Sequence, residues 1–239
     1  MFELANPKRF MDVSGIALPW LAASAAVLIA VALGLGLFLS PPDYQQGDTV
    51  RIMFVHVPAA WIAMMAYGLM AAASIVGLVN RHPLADLAAK SAAPLGALFT
   101  ALALITGSLW GKPMWGAFWV WDARLTSFLI LFFLYLGYIA LWNAIEDDVR
   151  AARAAAVLAL VGAVDVVIVK FSVDWWNTLH QGESIFRSSG PLIAPVFLWP
   201  LLLMAFGYTF LFLTLWLVRI RTEILTRRCR TLLARETAR

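Results

Sequence analysis

Six apolar runs, each close to the length that crosses a bilayer, follow one another along the chain with short polar connections. A transmembrane helix needs roughly 20 predominantly apolar residues. Hydrophobic residues make up 62% of the sequence and charged residues 13%, whereas a soluble domain carries roughly 25% charged residues. The sequence therefore predicts an all-α integral membrane protein whose single membrane domain covers residues 1–239.

Polar and helix-breaking residues bound the predicted spans. We place the six transmembrane helices at about 17–39, 52–79, 92–109, 125–142, 154–169 and 193–218. A tryptophan-rich loop, 110–124, follows the third span, a polar loop, 170–192, follows the fifth, and a basic tail, 219–239, closes the chain. The first run exceeds the apolar core of a signal peptide, roughly 7–15 residues, so we interpret it as an uncleaved span.

Lysine and arginine are unevenly distributed between the two ends of the spans. With alternating spans, thirteen of the 18 basic residues fall on the side of both termini and five on the other side. Because cytoplasmic loops carry the excess of these residues, both termini are expected in the cytoplasm and loops 110–124 and 170–192 outside. Topology thus accounts for the positive charge, and we expect no nucleic-acid partner.

Two of the three histidines fall on the predicted outer side. His56 lies near the outer end of the second span and His180 in the last outer loop, whereas His82 lies at the opposite end of the second span. A neutral imidazole is a good ligand for iron, zinc or copper. Two histidines from separate elements, with no nearby cysteine, suit axial ligation of heme better than a four-ligand zinc site. A hydrogen-bonded packing role is the alternative for each.

The segment 110–126, WGKPMWGAFWVWDARLT, contains four tryptophans. An aromatic belt at the bilayer interface is the simpler explanation of such residues. On a helix, Trp115, Trp119 and Asp122 would share one face, whereas in an extended segment Trp119 and Trp121 would do so. Either arrangement directs flat rings and a carboxylate to one side, which favours a planar apolar ligand such as a macrocycle.

A macrocycle with propionate groups would need cations nearby. Arg51 and Arg124 are the nearest candidates for such contacts, and Lys112 and Arg187 are weaker ones. The alternative for both arginines is a side chain that reaches the lipid headgroups from a helix end.

Three segments resemble one family of membrane proteins. Trp115-Gly116-x-x-Trp119-x-Trp121-Asp122 resembles the WWD motif of the heme-handling proteins of cytochrome c biogenesis. QGDTVRIMFVHVPAAW, around His56, and SVDWWNTLHQGES, around His180, are similar to segments of the shortest group in that family, the heme-handling protein C of cytochrome c maturation. The resemblance covers essentially the whole chain.

The resemblance implies a function, a site and partners. It implies that the protein binds heme b at the periplasmic face of the bacterial inner membrane and delivers it to a periplasmic heme chaperone. It implies His56 and His180 as axial ligands of the heme iron, with Trp115, Trp119, Trp121 and Asp122 as the heme platform. The implied partners are the ATPase and permease subunits of an ABC transporter and a small single-span subunit.

The chain carries no Gly-x-x-x-x-Gly-Lys-Ser/Thr nucleotide motif and no Cys-x-x-Cys-His heme attachment motif. We therefore expect a transport protein without an ATPase activity of its own rather than an enzyme. Two other interpretations remain, a non-catalytic membrane subunit of an ABC exporter and a b-type heme electron-transfer protein. The second would be expected to bury several histidine pairs within its spans.

Overall fold

A computed structural model describes residues 6–182, 184–185 and 187–237. Its helices are α1 (Pro7–Leu33), α2 (Met53–Asn80), α3 (Pro83–Trp115), α4 (Ala123–Ala144), α5 (Asp148–Trp175) and α6 (Pro195–Thr237). A π-helical segment, Gly34–Leu39, continues α1, and a short 3-10 helix, Asp48–Ile52, leads into α2. Within the described residues, six helical segments are long and apolar enough to cross a membrane, which confirms the predicted all-α class.

Most helices extend past the predicted spans. α3 begins at Pro83 rather than near 92, α5 continues to Trp175, and α6 runs through the basic tail to Thr237. The apolar run limits what can lie in hydrocarbon, but the helix itself ends only where a cap, a glycine or a proline ends it. At 1.5 Å per residue α6 is about 64 Å long, roughly twice the hydrocarbon thickness. The last tail residue, Arg239, lies outside the described residues.

Side-chain caps fix where three of the helices begin. His82 Nδ1 accepts a hydrogen bond from the Ala85 backbone N–H at 3.3 Å and caps α3. Asp122 and Asp147 cap α4 and α5 in the same way, at 2.8 and 2.7 Å. Because Nδ1 of His82 is the acceptor, the hydrogen of the neutral ring lies on Nε2. His82 therefore has a structural role at the start of α3.

α2 lies at the centre of the bundle and packs against α3, α5 and α6, while α1 packs on α6 and α4 on α3 and α5. Small side chains let these helices approach closely, as is common between membrane helices. The buried alanines of the contact faces include Ala59, Ala63, Ala66, Ala92, Ala93, Ala155 and Ala159. Tyr135 crosses this core, and its hydroxyl donates to the Ala63 carbonyl at 2.7 Å.

Polar contacts gather three connecting segments at one end of the bundle, which we call the histidine end because it carries His56 and His180. Trp110 Nε1 donates to Gln46 Oε1 at 2.9 Å and joins the end of α3 to the segment between α1 and α2. The Leu179 backbone N–H donates to Asp122 Oδ2 at 3.2 Å and joins the loop after α5 to the start of α4. The loops that the sequence analysis placed on one side therefore meet.

Candidate functional site

A cavity of about 670 Å³ lies at the histidine end, a volume in the usual range of small-molecule sites. Five of the residues predicted from the sequence line it, namely His56, Trp115, Trp119, Arg124 and His180. Trp121, Asp122 and Arg51 are outside its lining. Much of the remaining wall is apolar and includes Met53, Val57, Leu104, Met114, Leu125 and Phe197.

His56 is held in a defined orientation by α3. It lies in the first turn of α2, and its Nδ1 is 3.0 Å from the Ala103 carbonyl and 3.2 Å from Thr106 Oγ1. A carbonyl only accepts, so Nδ1 carries the ring hydrogen and Nε2 keeps a free lone pair. This is the tautomer that a ligating histidine adopts when a backbone carbonyl orients it.

Gly107 makes this close approach possible. A Cβ atom at position 107 would lie 2.8 Å from His56 Cε1 and 3.3 Å from its Nδ1. Any larger residue would therefore push the imidazole away from α3. The edge of the Trp110 ring packs against the same imidazole, with ring centroids 5.7 Å apart.

His180 lies in the loop that follows α5 and faces a carboxylate. Its Nδ1 is 3.6 Å from Asp122 Oδ2, and its ring meets the Trp115 ring edge-on with centroids 5.0 Å apart. Burial is the main cause that lowers the pKa of His180; the charge of Asp122 opposes this effect and that of Arg124 adds to it. The lowered pKa favours the neutral imidazole, the form that binds a metal ion.

Asp122 is a junction between three parts of the site. One carboxylate oxygen caps α4 through the Leu125 backbone N–H, and the other accepts the Leu179 N–H and faces His180 Nδ1. The Asp122 side chain is only 7% exposed. Its contacts in the described residues are with the start of α4 and the loop that carries His180.

The tryptophan segment is helical up to Trp115 and irregular between Gly116 and Asp122. α3 ends at Trp115, and Gly116 takes the left-handed backbone conformation (φ 77°) that terminates it. Trp119 and Trp121 then meet edge-on, 5.5 Å between ring centroids. Trp119 lines the cavity, whereas Trp121 is 74% exposed. The helical alternative, with Trp115, Trp119 and Asp122 on one helix face, therefore does not describe the segment, because α3 has ended before Trp119. Trp119 and Trp121 have separate surroundings.

The predicted cations are engaged by the protein itself. Arg51 Nη2 contacts Asp48 at 3.2 Å and donates to the Ser40 carbonyl at 3.4 Å. Arg124 lines the cavity, but its guanidinium donates to Ser172 Oγ at 3.0 Å and to the Val169 and Lys170 carbonyls at 3.2 and 3.3 Å.

Lys112 also contacts its own segment, since Nζ donates to the Gly116 carbonyl at 3.0 Å, and Arg187 is outside the cavity lining.

The sequence analysis did not identify three polar residues that line the cavity, Lys170, Gln46 and Gln181. Lys170 lies near the outer end of the fifth predicted span, and that position was the available signal.

The whole chain is similar to proteins of known family. A family profile described as Heme exporter protein C matches residues 1–235. The Heme exporter protein C of Bradyrhizobium diazoefficiens is 60% identical over 232 residues, which cover 97% of this chain and 88% of the relative. That of Paracoccus denitrificans is 51% identical, with 99% and 98% covered, and that of Escherichia coli K12 is 48% identical, with 94% and 91% covered.

Proposed function

Because the chain belongs to the Heme exporter protein C family, we propose that its cavity binds heme b and presents it to a periplasmic heme chaperone. Family membership supports a heme-handling role in cytochrome c biogenesis. It also supports a multi-pass membrane protein that belongs to an exporter complex. Beyond this role, we propose that heme binds in the cavity at the histidine end, that this end lies on the periplasmic side of the bacterial inner membrane, and that a periplasmic heme chaperone receives the heme.

The observation that carries the proposal is that two imidazoles from separate elements line one cavity. His56 donates through Nδ1 to Ala103, which leaves Nε2 free, and His180 turns its Nδ1 towards Asp122. A hydrogen bond therefore orients the His56 ring from behind, as is usual for metal-binding histidines, and a carboxylate faces the corresponding side of the His180 ring. No cluster of three or more His, Cys, Asp or Glu forms in the described part of the chain, so the histidines are not part of a larger metal site there.

The cavity wall fits a planar macrocycle. Trp115 and Trp119 supply aromatic surface, and aliphatic side chains supply most of the rest. Lys170 and Arg124 lie on the lining as cations for the propionates. Heme is the cargo here: ligation by His56 and His180 would occupy both axial positions of its iron and limit reactions with oxygen. Release to a chaperone then requires that at least one of these two bonds opens.

Of the two other interpretations, the electron-transfer protein would need histidine pairs within the bundle. His82, the remaining histidine, caps α3 at the opposite end, and its Nδ1 is already engaged. We therefore retain the heme-delivery proposal, with an ABC transporter ATPase and permease and a small single-span subunit as its proposed partners. We infer that energy for release comes from such a partner.

Gly107→Ala is expected to weaken heme binding about tenfold. The added methyl group would lie 2.8 Å from His56 Cε1, so the ring must turn and lose its bond to Ala103. A hydrogen bond of roughly 1 kcal/mol and the misplaced ligand together account for this loss. Heme titration of the purified variants measures it. Gly68→Ala is the matched control, because a Cβ there meets nothing within 4 Å; equal affinity of both variants would contradict the packing argument.

The orientation in the membrane rests on the distribution of basic residues and is tested by labelling. Cys229, the exposed free cysteine, is first replaced by serine. Gly182→Cys in that background is expected to react with a membrane-impermeant maleimide added to intact spheroplasts. Arg228→Cys in the same background should react only after the spheroplasts are lysed. The reverse labelling pattern would place the cavity on the cytoplasmic side and reject delivery to a periplasmic partner.

Delivery to the chaperone is tested by Trp119→Ala. Loss of one aromatic wall contact, worth about 1 kcal/mol, is expected to weaken heme binding roughly fivefold. At limiting heme the smaller loaded fraction slows heme transfer to the chaperone by about the same factor, while membrane insertion stays normal. The rate of covalent heme capture by a co-expressed chaperone is the measurement. Trp20→Ala is the control, since Trp20 lies on α1 and is 75% exposed. Transfer at the wild-type rate in Trp119→Ala would remove Trp119 from the platform.

A further inference from the structure

A second cavity, of about 430 Å³, lies at the end of the bundle opposite the histidine end. It is formed where α2 ends, α3 and α5 begin and the α6 tail passes. His56 and Arg81 are separated by most of α2, which corresponds to about 37 Å at 1.5 Å per residue. The second cavity therefore has no part in the site described above.

The lining of this cavity has an excess of positive charge. Three arginines, Arg81, Arg153 and Arg227, face two acids, Asp86 and Asp148. Arg227 is paired with Asp148 at 3.3 Å. Within the described residues, the side chains of Arg81 and Arg153 make no hydrogen bond or ion pair. Two guanidinium groups and the Asp86 carboxylate thus remain on the lining, a net positive charge that favours an anion.

The backbone at Arg81 departs from the usual helix end. It caps α2 in the left-handed conformation (φ 48°, ψ 45°), and within the described residues it is the single non-glycine position with positive φ. Glycine normally occupies such a position, because a Cβ atom is strained there. An arginine at this place keeps a cation beside the cavity at the expense of backbone strain, and strained positions of this kind concentrate at ligand sites.

Exposed aliphatic side chains lie on α2 and α5, the helices that supply Leu78 and Arg153 to the cavity lining. Val79 on α2 is 74% exposed, and Val157 and Val161 on α5 are 55% and 65% exposed. α2 and α5 pack against each other. The ligand that matches a paired arginine site at the end of the spans, next to exposed aliphatic faces, has an anionic headgroup and apolar chains.

We propose that this cavity binds the phosphate of an acidic phospholipid through Arg81 and Arg153, with the acyl chains along the exposed faces of α2 and α5. Guanidinium groups bind phosphate oxygens in a bidentate manner, and basic pockets between helix ends are typical sites for acidic lipids. Heme is a poor match for this cavity, because among the described residues its lining includes no histidine, cysteine or methionine that could bind the iron. The proposal is independent of the function assigned to the histidine end.

The test uses full-length protein in nanodiscs that contain equal amounts of phosphatidylglycerol and phosphatidylcholine. Native mass spectrometry then counts the lipids that remain bound to the released protein. We expect preferential retention of phosphatidylglycerol. Arg81→Gly with Arg153→Gln should reduce that retention roughly 25-fold, about fivefold per arginine. Arg81→Gly also relieves the backbone strain, so the double variant is expected to fold, and its helical circular dichroism and thermal unfolding report on folding independently.

Arg150→Gln is the matched control, because Arg150 is a neighbouring exposed cation outside the cavity lining. It should retain phosphatidylglycerol as the wild type does. Equal retention of the two lipids by the wild type, or an equal loss in the control and the double variant, would overturn the proposal. Complete displacement of the lipid by inorganic phosphate would also overturn it, since a free anion would then be the ligand.

Discussion

His56→Ala and His180→Ala are each expected to lower the heme content of the purified protein more than tenfold. If both histidines bind the iron as proposed, each substitution would remove one ligand, and the remaining histidine would have to hold the heme alone. A tenfold loss needs only about 1.4 kcal/mol, less than an iron–imidazole bond contributes. Heme per protein, measured after extraction as the pyridine complex, gives the ratio.

The control for both variants is His82→Asn. Asparagine is a favourable N-cap, so it can replace the contact of His82 with the Ala85 backbone N–H at the start of α3. The heme content of this variant should equal that of the wild type, because position 82 lies at the opposite end of α2 from the cavity. Wild-type heme content in both the His56 and the His180 variant would refute the ligand assignment.

Asp122→Ala is expected to weaken heme affinity 10- to 100-fold, the usual effect of removing a group that orients a metal-binding histidine. The substitution removes the acceptor of the Leu179 backbone N–H and the carboxylate that faces His180, so the loop loses its attachment to α4. Asp122→Asn should retain more affinity, because an amide oxygen can still cap α4. Affinity is measured by heme titration, and the change in axial ligation by the position of the Soret band.

Asp147→Ala separates this effect from a mere loss of a helix cap. Asp147 caps α5 through the Arg150 backbone N–H, as Asp122 caps α4. Both variants lose an N-cap worth roughly 1 kcal/mol of stability. Heme affinity should fall only in Asp122→Ala. An equal fall in both variants would mean that Asp122 acts through helix stability alone.

The sequence predicted the six helices because their apolar runs have to be buried in lipid or protein. It did not predict where helices end, since α6 continues through a basic tail in which each backbone bond is still made locally. The tryptophan segment remained ambiguous for a similar reason. Its spacing fits both a helix and a strand, and Gly116 decides by ending α3 in the left-handed conformation.

The meeting of His56 and His180 at one end of the bundle could be predicted from the sequence, but the orientation of their rings could not. The tautomer of His56 depends on the Ala103 carbonyl, which comes from another helix. The same limit applies to the arginines. Arg51 and Arg124 were identified from charge alone, whereas their partners include backbone carbonyls whose positions only the fold determines. Asp122 is the clearest case: its motif suggested contact with a ligand, and its contacts are with α4, Leu179 and His180.

The central claim is that His56 and His180 together hold heme iron in the cavity at the histidine end. The visible absorption spectrum of the protein purified with its heme tests this claim most directly. We expect the bands of a six-coordinate low-spin heme, replaced by a five-coordinate or high-spin spectrum, or lost, when either histidine is changed to alanine. A low-spin spectrum that persists unchanged in both variants would contradict the claim.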